Sequence, residues 1–173
     1  RGALRLSSMS VGEELSISNS KIEVGQGSLA ILLANSNVGG SLALENVGAD
    51  AQIYMQFCRV RGAFRVNQLD VGGANWSLDA NGAQVEGPVD IADLKANGRV
   101  RLGEMRVTGA TTLRDIVFRG DPDLPPEFIL EGSQFPGGLF LRTGQALRGF
   151  PRSHEPHAGV RAELNPSPDR IRA

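Results

Sequence analysis

The sequence predicts an all-β fold, a right-handed parallel β-helix of about five to six turns with about 22–25 residues in each turn. One short apolar pattern recurs about ten times between Leu4 and Phe118 at a nearly constant spacing. Within each copy, apolar residues alternate with other residues at the period of a β-strand. Glycine, asparagine, serine or aspartate follows each short run and interrupts any helical pattern. Strands this short are typical of a solenoid whose turns stack in parallel.

Two copies of the pattern make one turn, and each copy begins with two apolar residues that are two positions apart. We expect both members of each pair to point into the core, because alternate strand residues share a face. The first members are Leu4, Leu15, Leu29, Leu42, Ile53, Phe64, Trp76, Val89 and Val100. The second members are Leu6, Ile17, Ile31, Leu44, Met55, Val66, Leu78, Ile91 and Leu102. Right-handed winding is expected because right-handed crossovers dominate parallel β connections.

Polar residues form a further column, four positions after the first apolar residue of alternate copies. Its members are Asn19, Asn46, Gln68 and Asp93. Alternate copies lie one full turn apart, so these side chains are predicted to stack. Stacked amides can hydrogen-bond between neighbouring turns. We interpret the column as a structural polar ladder rather than a binding row.

The pattern weakens after Phe118, which divides the chain into a repeat domain, 1–147, and a tail, 148–173. Residues 120–127 contain three prolines and predict a loop outside the sheets. Residues 128–147 return to the pattern and predict a last turn or a cap over the open end. The tail is rich in Pro, Arg and Ser, which predicts a flexible segment or linker.

Composition restricts the classes of function. The 173 residues include 18 basic and 19 acidic ones, a net charge of -1. This balance argues against a nucleic-acid binder that needs a basic field. The single cysteine, Cys58, excludes an internal disulfide framework and is interpreted as a small, partly buried residue. No apolar run approaches the ~20 residues of a membrane-spanning helix.

The chain already lies within the repeat at Leu4, so we interpret it as a piece of a longer protein that lacks its native N-terminus. Missing targeting signals then carry little information about the compartment. The compartment stays undetermined, with the cytoplasm favoured.

The apolar pairs also recur about every five residues inside a copy, as in Leu4-x-Leu6 followed by Met9-x-Val11. In this spacing the chain resembles pentapeptide-repeat proteins, whose unit is A(D/N)LXX. Residues 92–96 (Ala-Asp-Leu-Lys-Ala) match that formula, and residues 74–78 (Ala-Asn-Trp-Ser-Leu) match it with tryptophan at the centre. The chain is similar to a degenerate, glycine-rich variant, and to bacterial repeat proteins built from GxLxLxxxxV units. The resemblance implies a right-handed β-helical rod, and no catalytic residues can be carried over from it, because the family's repeat motif is structural.

Clustered arginines are the candidates for a binding surface, because a guanidinium group can hold phosphate or carboxylate in two-point contact. They lie in two groups about 40 residues apart: Arg59, Arg61 and Arg65, then Arg99, Arg101 and Arg106. The alternative interpretation is the ordinary solvated charge of a repeat rod, since acidic residues are interleaved.

Four carboxylates could serve an enzyme acting on polysaccharide: Asp79, Asp90, Asp93 and Asp115. Such a site needs paired acids in a groove, and the short copies leave little room for one. His154 and His157 have a spacing seen in metal sites, but Pro156 and the absence of a nearby cysteine argue against one. No catalytic residue, metal or cofactor is predicted.

The leading hypothesis is a non-enzymatic β-helical scaffold or protein-interaction module within a larger bacterial-type protein. It would present outward side chains in fixed rows to a protein partner. A carbohydrate-binding or polysaccharide-active β-helix is the alternative. A third hypothesis is end-to-end self-association through an exposed terminal turn.

Overall fold

The computed structural model describes residues 2–25, 27–73, 75–119 and 127–142. These residues form an all-β solenoid of about five turns built from parallel strands, with no helix among them. The predicted fold class is therefore confirmed. The predicted loop 120–127, apart from Glu127, lies outside the described residues, and so do residues 143–147 and the tail 148–173.

Each of the first five turns contributes one strand to each of three parallel sheets, which we call A, B and C, and a further partial turn adds one strand to sheet A and one to sheet C. In chain order the strands are β1 (Leu4–Arg5), β2 (Ser10–Val11), β3 (Leu15–Ile22), β4 (Leu29–Leu32), β5 (Asn37–Val38), β6 (Leu42–Ala49), β7 (Gln52–Tyr54), β8 (Arg59–Val60), β9 (Phe64–Val71), β10 (Trp76–Asp79), β11 (Gln84–Val85), β12 (Val89–Ala96), β13 (Arg99–Arg101), β14 (Arg106–Val107), β15 (Thr111–Phe118), β16 (Phe128–Ile129) and β17 (Leu139–Arg142). Sheet A contains β1, β4, β7, β10, β13 and β16, sheet B contains β2, β5, β8, β11 and β14, and sheet C contains the remaining six.

The core is a stack of apolar columns between the sheets. The register of sheet A aligns Leu4, Ile31, Ile53, Leu78, Val100 and Phe128. The register of sheet C aligns Leu15, Leu42, Phe64, Val89, Thr111 and Leu139. In every turn the sheet C residue follows its sheet A counterpart by 11 positions. This constant spacing keeps equivalent side chains facing inward in every turn of the rod.

Most of the predicted core residues are buried in these columns: Ile17, Leu42, Leu44, Ile53, Met55, Phe64, Val66, Leu78, Val89, Ile91, Val100 and Leu102. Leu4, Leu6 and Leu15 pack against the same core but are only partly buried. They belong to the first turn, which has a described neighbouring turn on one side only. Their apolar surface is therefore less completely removed from water.

Trp76 departs from the predicted core. Strands β4 and β10 each contain a register shift, between Leu29 and Ile31 and between Trp76 and Leu78. A bulge adds one residue and re-aims the side chain before it. The inward pair in turn four is thus Leu78 and Ala80, both fully buried, while Trp76 aligns with Arg99 and stays partly exposed.

The strands of sheet C bend where the polar ladder was predicted. Asn19, Asn46, Gln68 and Asp93 all have positive φ, between 49° and 53°. Asp115 has φ 52° and is a fifth member at the same position. Asparagine and aspartate tolerate this left-handed conformation better than most residues, so the column marks a corner of the coil. At this corner Asn46 Nδ2 donates a hydrogen bond to Asn19 Oδ1 of the preceding turn at 2.8 Å.

Glycines occupy the corner between sheets B and C because the backbones of successive turns approach closely there. A methyl group at Gly62 would lie 2.7 Å from the Gly40 carbonyl carbon, and one at Gly87 would lie 2.5 Å from the Gly62 carbonyl oxygen. Gly109 stands in the same relation to Gly87. The glycines that recur at this position of the repeat therefore have a steric cause.

Candidate functional site

Among the described turns, the connecting segments vary in length at one corner of the coil, where sheet C leads to the next strand of sheet A. Four residues join each sheet A strand to the sheet B strand, and three join sheet B to sheet C, in each of the first five turns. The segments from sheet C to the next sheet A strand are 23–28, 50–51, 72–75, 97–98 and 119–127. Insertions in repeat proteins map to one side, which is often the binding side. The insertions at this corner therefore favour the neighbouring sheet A as the binding side.

The bulge after segment 72–75 holds Trp76 at the surface. Ser77, the extra residue, is fully buried, and its hydroxyl lies 3.3 Å from the carbonyl oxygens of both Val71 and Gly73. The same Ser77 oxygen accepts the N–H of Gly98 in the next turn at 2.8 Å. A buried serine with these partners locks the backbone beside Trp76.

The outer side of sheet A is rich in apolar, aromatic and arginine side chains. We call it the aromatic face and define it as Leu29, Leu32, Tyr54, Trp76, Arg99, Arg101 and Ile129, all partly exposed. The outer side of sheet B is different, since its strands present the exposed residues Ser10, Asn37, Arg59, Gln84 and Arg106. Trp, Tyr and Arg are the residues most enriched in binding hot spots.

Two arginines from the following turn lie over the Trp76 ring. The Arg99 and Arg101 guanidinium carbons are 5.5 and 5.7 Å from the ring centroid. Cation–π contacts of this kind contribute about 0.5–1 kcal/mol at exposed sites. Arg99 also forms an ion pair with Glu127, Nε to Oε2, at 3.3 Å. Arg101 has no ion pair with any carboxylate of the described residues.

A line of hydrogen bonds joins polar residues of turns three and four, on and next to strands β7 and β10. The Tyr54 hydroxyl donates to Gln56 Oε1 at 2.5 Å, and Gln56 Nε2 donates to Asp79 Oδ2 at 2.7 Å. The other oxygen of Asp79 accepts the backbone N–H of Asn81 at 3.1 Å. Asp79 is only 3% exposed although it lies on the outer column of the sheet. Both of its oxygens therefore accept hydrogen bonds, and Asp79 forms no ion pair with the neighbouring Arg101.

The six arginines predicted as a binding surface do not lie together. Arg59 and Arg106 are on sheet B with Gln84 between them, and Arg59 donates to the Gln84 side chain at 3.3 Å. Arg65 is on sheet C, and Arg61 lies in the segment between sheets B and C. The structure brings together Arg99 and Arg101, around Trp76. The amphipathic surroundings of this pair were missed because Trp76 was assigned to the core.

The acidic candidates are also dispersed. Asp79 lies on sheet A, Asp90 pairs with Arg114 across sheet C at 3.6 Å, and Asp93 and Asp115 occupy adjacent levels of the polar corner. No group of three or more His, Cys, Asp or Glu side chains in the described part of the chain is arranged to hold a metal ion. His154 and His157 lie outside the described residues.

A wide concavity of about 1440 Å³ lies around segment 23–25 and the second half of sheet C. Besides Glu23, the carboxylates of Asp50 and Asp70 line it. Asp50 accepts the N–H groups of Val24 and Gly25 at 2.8 and 3.1 Å, which lower the pKa of its carboxyl, the Val24 bond most strongly. Asp70 pairs with Arg119 at 3.0 Å. Each of these two acids therefore already has partners within the coil.

Cys58 is buried, at 2% exposure, and its thiol donates to the Leu33 carbonyl oxygen at 2.6 Å. Burial raises the pKa of this thiol to about 11, because the thiolate is poorly solvated inside the protein. Ser36 and Ser133 make the same kind of bond in other turns, to Leu6 and Leu102. Cys58 is thus a structural residue of the corner between sheets A and B.

No protein-family model, curated protein or solved structure matches this chain. In the described part of the chain, no helix has the length and apolar character needed to cross a bilayer.

Proposed function

We propose that this chain is a non-enzymatic interaction module, a rigid β-solenoid that binds a protein partner through the aromatic face. The single observation that carries the proposal is Trp76, held at the surface by a buried bulge with Arg99 and Arg101 over its ring. A large amphipathic ring at the surface costs little entropy to order on binding when its position is already fixed. Tyr54 and Leu32 extend the same face in the two preceding turns.

A protein partner is favoured over a carbohydrate by what surrounds the ring. Two guanidinium groups already lie over Trp76, where a sugar ring would otherwise stack. Leu29, Leu32 and Ile129 add aliphatic surface that a polysaccharide could not match well. Buried aromatic and arginine anchors with an apolar surround are typical of protein interfaces.

We also propose that the repeat is a degenerate relative of the pentapeptide repeat. Steps of five residues between buried side chains, at the corner between sheets A and B and at the polar corner of sheet C, support this. Leu33, Met55 and Leu102 are each followed five positions later by a buried valine, at 38, 60 and 107. Across the polar corner, Val66 is followed by Val71 at the same distance.

Site-specific photo-crosslinking tests the proposed interaction. The substitution Tyr54→p-benzoylphenylalanine puts a photoreactive group on the aromatic face, and the same group at Gln84 on sheet B is the matched control. In the native host, we expect a discrete crosslinked partner from position 54 that disappears in Trp76→Ala and Arg101→Glu. Equal crosslinking from both positions, or none from position 54, would contradict the proposal.

Carbohydrate binding is the second candidate, because Tyr54 and Trp76 present two partly exposed rings in adjacent turns. Trp76 is the only tryptophan of the chain, so its fluorescence reports on this face directly. Titration with a panel of neutral and acidic oligosaccharides should leave the emission unchanged. A saturable change would favour a glycan ligand, and release of reducing ends would indicate an enzyme.

End-to-end association is the third candidate. The last described strand, β17, exposes Phe140 at 41% and Leu141 at 38%. Among the described strands β17 pairs only with β15, and exposed apolar residues at a sheet edge favour pairing with another chain. Sedimentation over a wide concentration range, with Leu141→Glu as the variant, separates an assembling protein from a monomer.

A further inference from the structure

We propose that the aromatic face recognises an extended peptide segment with two apolar side chains followed by an acidic one, the acidic group being seated at Arg101. This inference rests on the proposed function and names the chemistry of its partner.

The acidic position follows from the charges around Trp76. Asp79 lies at the level next to Arg101 in the same outer column but forms no ion pair with it, and its oxygens accept hydrogen bonds from Gln56 and Asn81. Arg99 is committed to Glu127. Arg101 is therefore a guanidinium without a carboxylate among the described residues, held near an aromatic ring. An incoming carboxylate would find two parallel N–H donors in a partly desolvated setting, where charge-assisted bonds are strongest.

The apolar positions follow from the register of sheet A. One outer column runs Arg5, Leu32, Tyr54, Asp79, Arg101 and Ile129 in successive turns. In the neighbouring column, Leu29 aligns with Gln52 and Trp76 aligns with Arg99. Leucines thus lie in turn two, aromatic rings in turns three and four, and Arg101, which has no ion pair among the described residues, in turn five. Between turns two and five the face changes from apolar to basic, so a ligand that spans these turns is expected to change from apolar to acidic.

The spacing of the ligand follows from the dimensions of the two backbones. Successive turns are about 4.8 Å apart, so Leu32 and Arg101 are separated by about 14 Å along the axis. An extended peptide advances about 3.3 Å per residue and shows alternate side chains to one face. Four residues therefore span the distance, which gives the pattern apolar-x-apolar-x-acidic, or the same pattern reversed.

A phage-displayed library of random dodecapeptides, selected on the whole chain, tests this pattern. Selected peptides are then synthesised and titrated against Trp76 fluorescence. We expect enrichment of the alternating apolar pattern with Asp or Glu at its end, and a loss of affinity of about tenfold or more in Arg101→Glu. Arg59→Glu, the same charge change on sheet B, should leave the affinity within about twofold. Thermal melts of both variants check that the fold persists.

Two results would overturn the inference but leave the proposed function standing. One is a set of peptides that need Trp76 but show no acidic preference and bind Arg101→Glu normally. The other is an absence of selected peptides while photo-crosslinking at position 54 still captures a folded partner. A uronic-acid oligosaccharide that changes the Trp76 emission in an Arg101-dependent way would overturn the peptide class itself.

Discussion

Thr111 is the polar member of an otherwise apolar column. It aligns with Val89 and Leu139 in sheet C, is 0% exposed, and its hydroxyl has no hydrogen-bond partner among the described residues. A buried hydroxyl without a partner loses its hydration without compensation. Thr111→Val should raise the free energy of unfolding by about 1 kcal/mol, measured by urea denaturation. Thr112→Val on the outer side is the control and should give no comparable gain; a loss at position 111 would reveal a hidden partner.

Cys58 makes stability depend on alkaline pH. Its thiol has a pKa of about 11 when folded against an ordinary value of 9.0, so the folded state holds its proton more tightly. The associated stability is fully present below pH 9 and is lost as the pH rises towards 11, by about 2–3 kcal/mol.

Cys58→Ser is the matched variant for this effect, because serines already occupy the equivalent positions 36 and 133 and make the same hydrogen bond. Denaturation curves at pH 8 and pH 10.5 should show a smaller fall in stability for the serine variant than for the parent chain. Parallel pH profiles for the two proteins would contradict the buried thiol's role.

At the scale of the element, the segment before β10 depends on two glycines. A methyl group at Gly98 would overlap the Gly73 carbonyl oxygen and lie 2.9 Å from the Asn75 carbonyl carbon. Gly98→Ala must therefore displace the segment that positions Trp76. We expect a loss of about 2 kcal/mol in stability and a red shift of the Trp76 emission.

Gly48→Ala is the control for that substitution. Its added methyl group would meet nothing closer than Lys21 Cγ at 3.9 Å, and Gly48 lies within a strand. We expect stability to change little or to rise slightly, because alanine restricts the unfolded chain. Equal losses at positions 48 and 98 would show that the close approach to Gly73 is unimportant.

At the scale of the whole molecule, each turn contacts mainly its two neighbours. Removing residues 42–63 takes out one complete turn, since Leu42 and Phe64 are register partners. Stability in such stacks is roughly a sum over neighbouring units, so a shorter rod should still fold. Circular dichroism should retain the β signal with a lower melting temperature. Complete loss of the β signal would show that the coil is not quasi-one-dimensional.

The sequence predicted most of the inner columns because the buried side of a short strand is visible in the sequence as apolar residues at alternate positions. At Leu29 and Trp76 the predicted inward pair begins two residues too early, because apolar residues stand on both sides of a bulge. The constant step of 11 residues from sheet A to sheet C could have corrected it, since Ile31 to Leu42 and Leu78 to Val89 obey that step. The same step, counted from Val100 to Thr111, places Asp115 in the polar ladder.

The amino-acid sequence by itself determined the repeating coil, its inward columns and its polar corner, because these depend on patterns within a few residues. Only the tertiary structure decided which outer side chains meet. Arg59, Arg61 and Arg65 are close in sequence but lie on different parts of the coil, because each side is only a few residues long. Trp76 and Arg101 are 25 positions apart yet in contact, because one turn of the solenoid brings them to neighbouring levels of the same sheet.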